Sequence, residues 1–524
     1  MAKGPTKTSD ESSVLRRALA RFVGEQHGGL VIFSLFLLSG MLLAVSVGLD
    51  TMRFELRRTQ LQNTLDNAVL AAADLDQTLE PQDVVRDYFD RAGLDNLSVD
   101  VSVEEGLNYR SVSASTSDEI RTLLMRLVGI DTLKTPAAGT ANETIMKVEI
   151  SLVLDNSGSM GSYGRLNLLK DAAKDFVDTV LGKATEQDRI SINIVPFATQ
   201  VNAGEDLLKH YNVSQEHRYS WCVDFRSEDF TTPAILPNQR LQRTGHFEIS
   251  TYSKPPDPNM FVCPILESRE ITVMESDIQA LHDRIDSFWA QGNTSIDIGA
   301  KWGAALLDPA TRPIIADMIG DGAVSSQFNG RPYNYDEEDA LKVLVVMSDG
   351  ENTSQHYLRD EFSSGTADIY YDRTNGRESL YYRYYGNNYW YWFTDGDWHS
   401  APYRNWDRAR TMTWPELWAS RSVANYAYYD RTEALGGNWR NYYDEVYSSI
   451  GTNTKNSRTS AICEAAKNAG VVVFTIGMET RGNGDDTLSD CASTTSHFFD
   501  VRAIEIAQAF SSIARQINQL RLTQ

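Results

Sequence analysis

The chain is poor in positive charge, in cysteine and in catalytic signatures, and each shortage excludes something. Its 49 basic residues face 71 acidic ones, a formal net charge of -22. Duplex nucleic acid needs a basic field to replace phosphate counterions, so a DNA- or double-stranded-RNA-binding role is excluded. Four cysteines (Cys222, Cys263, Cys463, Cys491) in 524 residues are too few for a disulfide-held miniprotein, but they suit two bridges in an oxidising compartment. No G-x-x-x-x-G-K-[ST] loop and no G-x-S-x-G elbow occurs. Hydrophobic residues at 42% and charged residues at 23% rule out a mainly disordered, collagen-like or polytopic membrane chain. The length corresponds to roughly three units at ~150 residues each.

What is present begins at the N-terminus. Residues 1–27 are polar and carry Lys3, Lys7, Arg16, Arg17 and Arg21, whereas residues 28–49 hold no charge. That run of 22 residues rises about 33 Å as a helix, enough to cross a hydrocarbon core of roughly 30 Å. A cleaved leader is the rival reading, because Ala44-Val45-Ser46 offers a small-x-small site. The n-region is long and the apolar run continues past that site, so retention is expected. The basic flank places residues 1–27 in the cytoplasm and the remainder outside, although Arg53, Arg57 and Arg58 oppose this from the far side. Residues 50–75 contain no helix breaker and align Phe54, Leu61, Leu65, Ala68 and Ala72 on one stripe, so the helix is predicted to continue as an amphipathic rod.

An apolar helix followed by Leu61-Gln62, Leu65-Asp66, Ala68 and Leu70 with Ala71-Ala72-Ala73 resembles the N-terminal segment of the TadG-like proteins of the tight-adherence (Flp) pilus system. The resemblance implies a bacterial inner-membrane protein with a single span, its bulk periplasmic or surface-exposed, and pilus components among its partners. Unlike processed pilins, the chain lacks a Glu just inside the apolar segment; Ser34 and Leu35 occupy that stretch. Residues 76–145 read as a small α+β connector, with helices predicted at 84–91 and 120–128 and strands at 97–103 and 109–115.

From residue 146 the pattern changes. A run expected of a buried parallel strand at 148–154 ends in Asp155-Asn156-Ser157-Gly158-Ser159 and is followed by a helix at 166–181. A second strand at 190–197, helices at 276–289 and 296–307, a strand at 341–347 ending in Ser348-Asp349-Gly350, a helix at 460–469, a strand at 471–476 and a closing helix at 504–520 complete an α/β alternation. Ligands bind such open sheets at the carboxyl ends of the strands. Asp155, Ser157 and Ser159 offer one carboxylate and two hydroxyls on a tight loop, hard oxygens suited to Mg²⁺ or Mn²⁺. A serine beside an aspartate also invites a hydrolase reading, but only His356 lies near either motif.

Asp155, Ser157, Ser159, Thr294 and Asp349, in this order and context, resemble the metal-ion-dependent adhesion site of the von Willebrand factor A domain. The resemblance spans about residues 147–200, 272–350 and 459–520. It implies a doubly wound, Rossmann-like, mostly parallel sheet over 146–524, with two large insertions at about 201–271 and 351–458. It also implies a divalent cation, Mg²⁺ first with Mn²⁺ or Ca²⁺ as alternatives, and a protein partner that presents a carboxylate to it. The expected function is a non-enzymatic, membrane-anchored protein that serves pilus assembly or adhesion; the alternative is a free-standing surface adhesin or glycan- or envelope-binding protein.

The second insertion holds 16 of the 24 tyrosines and 7 of the 10 tryptophans. A β-rich subdomain with its own aromatic core and a glycan-binding face both fit this composition. Some of Tyr389, Trp390, Tyr391 and Trp392 are expected on an exposed ligand face; Tyr389 and Tyr391 point one way and Trp390 and Trp392 the other, so one pair can fill a core while the other meets a partner. Cys222 with Cys263 and Cys463 with Cys491 are the expected bridges, since each pair falls within one segment.

Overall fold

The computed structural model describes residues 16, 17, 20, 21, 29–74, 77, 79–105, 109–144, 147–182, 189–337, 339–404, 406–480 and 482–523. Lys3 and Lys7 of the expected basic segment, and Gly28, lie outside them. The chain divides into two compact units, Met1–Ile145 and Met146–Gln524.

In the first unit a single helix, α1, runs over Gly29–Ala73 and is long and apolar enough to cross a membrane. Leu30, Phe33, Phe36, Leu42 and Leu49 in its first half are exposed. The second half is no bare rod. Leu61, Leu65, Ala68 and Ala72 are fully buried in a core shared with α2 (Pro81–Arg91) and a three-stranded antiparallel sheet, β1 (Val99–Glu105), β2 (Tyr109–Arg121) and β3 (Thr132–Thr144). Phe54, expected on the same stripe, is half-buried. The expected helix at 120–128 is not formed. Strand β2 continues through Arg121, and only Met125–Val128 coils, as a 3₁₀ turn. The Asp50 carboxylate of α1 fixes this turn by accepting the Leu123, Leu124 and Met125 amides at 2.9, 3.0 and 2.9 Å, a contact no local pattern encodes.

The second unit is built on a six-stranded sheet. Strand β4 (Lys147–Asp155) is followed by α3 (Arg165–Leu181), β5 (Ile190–Phe197) and the short β6 (Thr272–Glu275). Then come α4 (Ile278–Asp286), α5 (Ile296–Ala305) and β7 (Ala340–Ser348). An antiparallel five-stranded sheet follows: β8 (Thr366–Asp372), β9 (Glu378–Tyr384), β10 (Asn387–Trp392), β11 (Asp397–His399) and β12 (Ala409–Thr413), in the order β11-β10-β9-β8-β12. The chain returns through α6 (Thr452–Asn468), β13 (Val472–Met478), α7 (Asn483–Cys491), β14 (Phe498–Val501) and α8 (Ile506–Thr523).

The six-stranded order is β14-β13-β7-β4-β5-β6, parallel throughout except at β6. Alternate residues of β4 and β7 serve two cores, as the two-residue strand period requires. Ile150, Leu152, Leu154, Val343, Val345 and Met347 pack with α3 and α8 on one face. Val153, Leu344 and Val346 pack with α5 on the other. Close approach on that second face needs Gly299: a Cβ there would lie 2.8 Å from Val153 Cγ1. Because β5 and β7 flank β4 on opposite sides, the carboxyl end of β4 is the topological switch point.

Candidate functional site

Strand β4 ends at Asp155, and Asp349 follows the last residue of its neighbour β7. Asp155 is fully buried. Its Oδ1 accepts the Ser157 amide at 2.7 Å and its Oδ2 the Ser348 hydroxyl at 2.6 Å. The Ser157 and Ser159 hydroxyls lie 3.0 Å apart, and Ser159 Oγ donates to Asp349 Oδ1 at 2.6 Å. Four of the five candidates therefore form one hydrogen-bonded cluster. Thr294 is 4% exposed in the loop before α5, with no hydrogen bond from its hydroxyl to the other four among the described residues. Its loop is nevertheless tied to theirs: the Gly158 amide donates to Gly292 O and the Gln291 amide to Asn156 O, both at 2.9 Å.

Electrostatics sharpen the picture. Burial, and then the charge of Asp349, push the Asp155 carboxyl up to about 6. Burial likewise raises Asp349, against the Ser159 hydroxyl and the Arg165 guanidinium, which lower it. Two carboxylates end adjacent strands with one guanidinium beside Asp349, and the Asp155, Ser157, Ser159 and Asp349 side chains all present oxygens. In the same loop the buried Asn156 amide keeps both polar atoms without a hydrogen-bond partner among the described residues. The donor set thus fits a hard divalent cation such as Mg²⁺, with the Ser157 and Ser159 hydroxyls able to rotate their protons away and offer lone pairs. Among the described residues no three His, Cys, Asp or Glu side chains converge as a metal cluster, so the set depends on hydroxyls.

Several residues that the sequence does not single out as site candidates shape this edge. Arg165, the first residue of α3, places Nη1 3.0 Å from Asp349 Oδ2 and Nη2 2.7 Å from Glu479 Oε2. Ser348 holds Asp155. The Asn352 side chain accepts the Ile296 amide at 2.8 Å, anchoring the start of α5. Lys455 is fully buried and donates to Thr294 O, Ser295 Oγ and Thr353 O at 2.6–2.7 Å; burial depresses its ammonium to about 8. Their partners are distant in sequence, so only a hydroxyl directly before Asp349 offered a local signal, for Ser348.

The aromatic strand is covered in part. Tyr389, Trp390, Tyr391 and Trp392 do lie on a strand, β10, but Trp390 and Tyr391 are 2% and 8% exposed, and Tyr389 and Trp392 are half-buried. Tyr391 pairs with Leu380 and Trp398 across the sheet and enters the core of this segment. Trp390 is enclosed by Tyr370, Tyr381 and Trp406. Exposed rings of the segment include Tyr385 and Trp406 as well as Tyr382, Tyr384 and Trp398, and the last three with Tyr389, Ala434 and Leu435 line a cavity of about 310 Å³. Register explains the shift: Tyr382 pairs with Tyr389, so their rings and that of Tyr384 share the Tyr391 face beyond its buried end.

Both cysteine pairs are bonded as expected, Cys222–Cys263 with Cα atoms 5.8 Å apart and Cys463–Cys491 with Cα atoms 5.0 Å apart.

Fold and site together define an α/β protein with a carboxylate–hydroxyl cluster at the switch point of a mostly parallel sheet, carried on a chain with a long apolar N-terminal helix. Residues 28–75 match the family described as putative Flp pilus-assembly TadE/G-like. No curated protein matches the chain. Among solved structures, the chain is similar to the vWF domain of the type V pili tip protein Mfa5 from Porphyromonas gingivalis, at 16% identity and TM-score 0.33 over 73% of this chain and 98% of that one. It is also similar to the pilus adhesin SpaC from Lactobacillus rhamnosus GG (11%, TM-score 0.31, 80% and 34%). A third is the adhesive tip pilin GBS104 from Group B Streptococcus agalactiae (11%, TM-score 0.29, 71% and 99%). At such TM-scores the fold assignment rests on the sheet order itself.

Proposed function

We propose that this chain is a membrane-anchored, extracytoplasmic protein of the TadG type. In this reading a von Willebrand factor A domain with insertions at about 201–271 and 351–458 binds protein partners in pilus assembly or adhesion, and does so by binding rather than catalysis. The observation that carries the reading is the joining, in one chain, of a TadE/G-like segment at 28–75 with the Asp155–Ser157–Ser159–Asp349 cluster at a parallel-strand edge. The two disulfides agree with an oxidising compartment outside the cytoplasm.

At the site, Asp155 and Asp349 supply charge, while Ser157 and Ser159, with Thr294 from the facing loop, supply neutral oxygens. A divalent cation, Mg²⁺ before Mn²⁺ or Ca²⁺, would supply an open coordination position to a partner's carboxylate. Calorimetric titration of the full chain in detergent with Mg²⁺ and Mn²⁺ tests this. Asp155→Ala should abolish the binding heat and leave the fold intact, since the apolar strands supply the core. Ser157→Ala should weaken affinity less, because water replaces one neutral ligand. Equal heats from wild type and Asp155→Ala, or none from either, would sink the metal reading. Crosslinking in envelope fractions that recovers no pilus component would favour the free-standing adhesin.

A second reading has its own observation. The cavity lined by Tyr382, Tyr384, Tyr389 and Trp398 offers ring faces of the kind on which sugars stack, which keeps a glycan partner in view. Glycan-array binding that survives Tyr384→Ala with Trp398→Ala would remove it.

A further inference from the structure

Arg165 sits where a helix least favours a cation. It opens the 17-residue α3, whose N-terminus carries the positive end of the helix dipole. The chain enters that helix through two left-handed residues, Tyr163 (φ 54°) and Gly164 (φ 74°). The side chain is 17% exposed and forks between two strand ends. Nη1 donates to Asp349 Oδ2 at 3.0 Å, and Nε and Nη2 donate to Glu479 Oε2 at 3.1 and 2.7 Å.

Glu479 is itself held in an unfavourable backbone. It directly follows β13 with φ 59°, a region costly for a residue with a Cβ, and its amide is fixed by Val501 O at 2.8 Å. Three adjacent parallel strands, β4, β7 and β13, therefore end in Asp155, Asp349 and Glu479, and one guanidinium bridges the last two. Three carboxylates less one guanidinium leave two negative charges when all are ionised, the charge one divalent cation cancels. A guanidinium cannot deprotonate at ordinary pH and has no lone pair to offer, so it can act here only as a counter-cation, never as a ligand.

We infer that Arg165 is the built-in counter-cation of this edge. It neutralises Asp349 in competition with a divalent cation, sets the affinity for that cation, and holds the ends of β7 and β13 together. Glu479 takes up part of the guanidinium's charge and so moderates the competition. This inference rests on the metal-binding reading above, and its test separates the two.

The experiment measures free Mn²⁺ by electron paramagnetic resonance against the full chain in detergent, with melting temperatures taken in EDTA and in Mn²⁺. Arg165→Gln removes the charge and keeps hydrogen-bond donors; it should bind Mn²⁺ roughly tenfold more tightly than wild type. It should also melt lower in EDTA and gain more from Mn²⁺ than wild type does. Arg165→Lys keeps the charge and should stay within about threefold of wild type on the same scale. Glu479→Gln leaves the guanidinium to Asp349 alone and should weaken Mn²⁺ binding, an arm that holds even if Arg165→Gln fails to fold. Wild type that binds Mn²⁺ while Arg165→Gln binds equally or more weakly overturns the inference and leaves the metal reading standing; Arg165 is then only a structural bridge. No Mn²⁺ bound by folded wild type or by folded Arg165→Gln overturns both.

Discussion

The Ser348 hydroxyl donates to Asp155 Oδ2 at 2.6 Å across the ends of two neighbouring strands, with both side chains fully buried. The Ser157 side chain, this hydroxyl and the Ser157 amide stabilise the Asp155 charge against burial and against Asp349. Ser348→Ala leaves Oδ2 without that donor in a place water does not reach. The expected cost is about 1.5–3 kcal/mol, the range for a hydrogen bond to a charged group. Denaturant unfolding in EDTA at pH 8 checks it. Ser348→Ala made in an Asp155→Asn background should cost clearly less; equal costs in the two backgrounds would show that the contact carries no coupling energy.

Which parts of this arrangement were legible beforehand follows from physics. Strands 148–154, 190–197, 341–347 and 471–476 could be read because a parallel strand covered on both faces is rich in Val, Ile and Leu along its whole length, even with Glu149 and Lys342 among them. The edge strands β6 and β14 were missed: at four residues each they are too short to show that pattern. Asp155, Ser157, Ser159 and Asp349 were legible because their spacing is local to two loops. Arg165 was not, since its partners lie 184 and 314 positions away and nothing in Gly164-Arg165-Leu166 marks a site. Alternation separated Tyr389 and Tyr391 from Trp390 and Trp392, but Trp390 and Tyr391 are covered on opposite faces by rings outside the strand, Trp406 on one and Trp398 on the other, which no local pattern encodes.

Asp50 provides a test of the first unit. Its carboxylate accepts three consecutive amides, and the Leu123 and Met125 hydrogen bonds, foremost among the causes, hold it below the usual carboxylate range. Asp50→Ala should release the 3₁₀ turn at Met125–Val128 while the pairing of β2 with β3 persists. Hydrogen exchange should accelerate at the Leu123, Leu124 and Met125 amides and stay near wild type at Val112 and Ala114. Unchanged protection at the three amides would mean that the turn holds without the carboxylate.

The Cys463–Cys491 bridge ties α6 to α7 and closes a sequence separation of 28 residues, with both cysteines fully buried. In the chain-entropy account a loop of that length contributes about 3–4 kcal/mol through the unfolded state. Cys463→Ser with Cys491→Ser should lower the unfolding free energy by that order, and non-reducing peptide mapping of the native chain should recover both bridges. Four free thiols in that mapping would remove the bridges and the main support for an oxidising compartment.

Acid should destabilise the second unit through the imidazoles of His217 and His246. They are 6% and 5% exposed, and their ring centroids lie 5.9 Å apart. His246 stacks on Phe261 at 3.9 Å. His217 Nδ1 accepts the Tyr219 amide, which leaves Nε2–H to donate to Thr244 O at 2.9 Å. Burial, first among the causes, depresses His217 to about 4, with the Thr244 carbonyl pulling the other way. Burial and the neighbouring His217 depress His246 to about 3. In the unfolded chain both titrate near ~6.5. Between those values the unfolded state binds more protons, so stability from this pair is fully present above about pH 6.5 and is lost as pH falls toward 4. Two extra protons set a limiting slope of about 2.7 kcal/mol per pH unit. Unfolding free energies of wild type should therefore fall more steeply from pH 7 to 4.5 than those of His217→Gln with His246→Phe, which keep the hydrogen bond and the ring stack without the protons. Parallel pH profiles for the two proteins would show that the imidazoles are not what acid attacks.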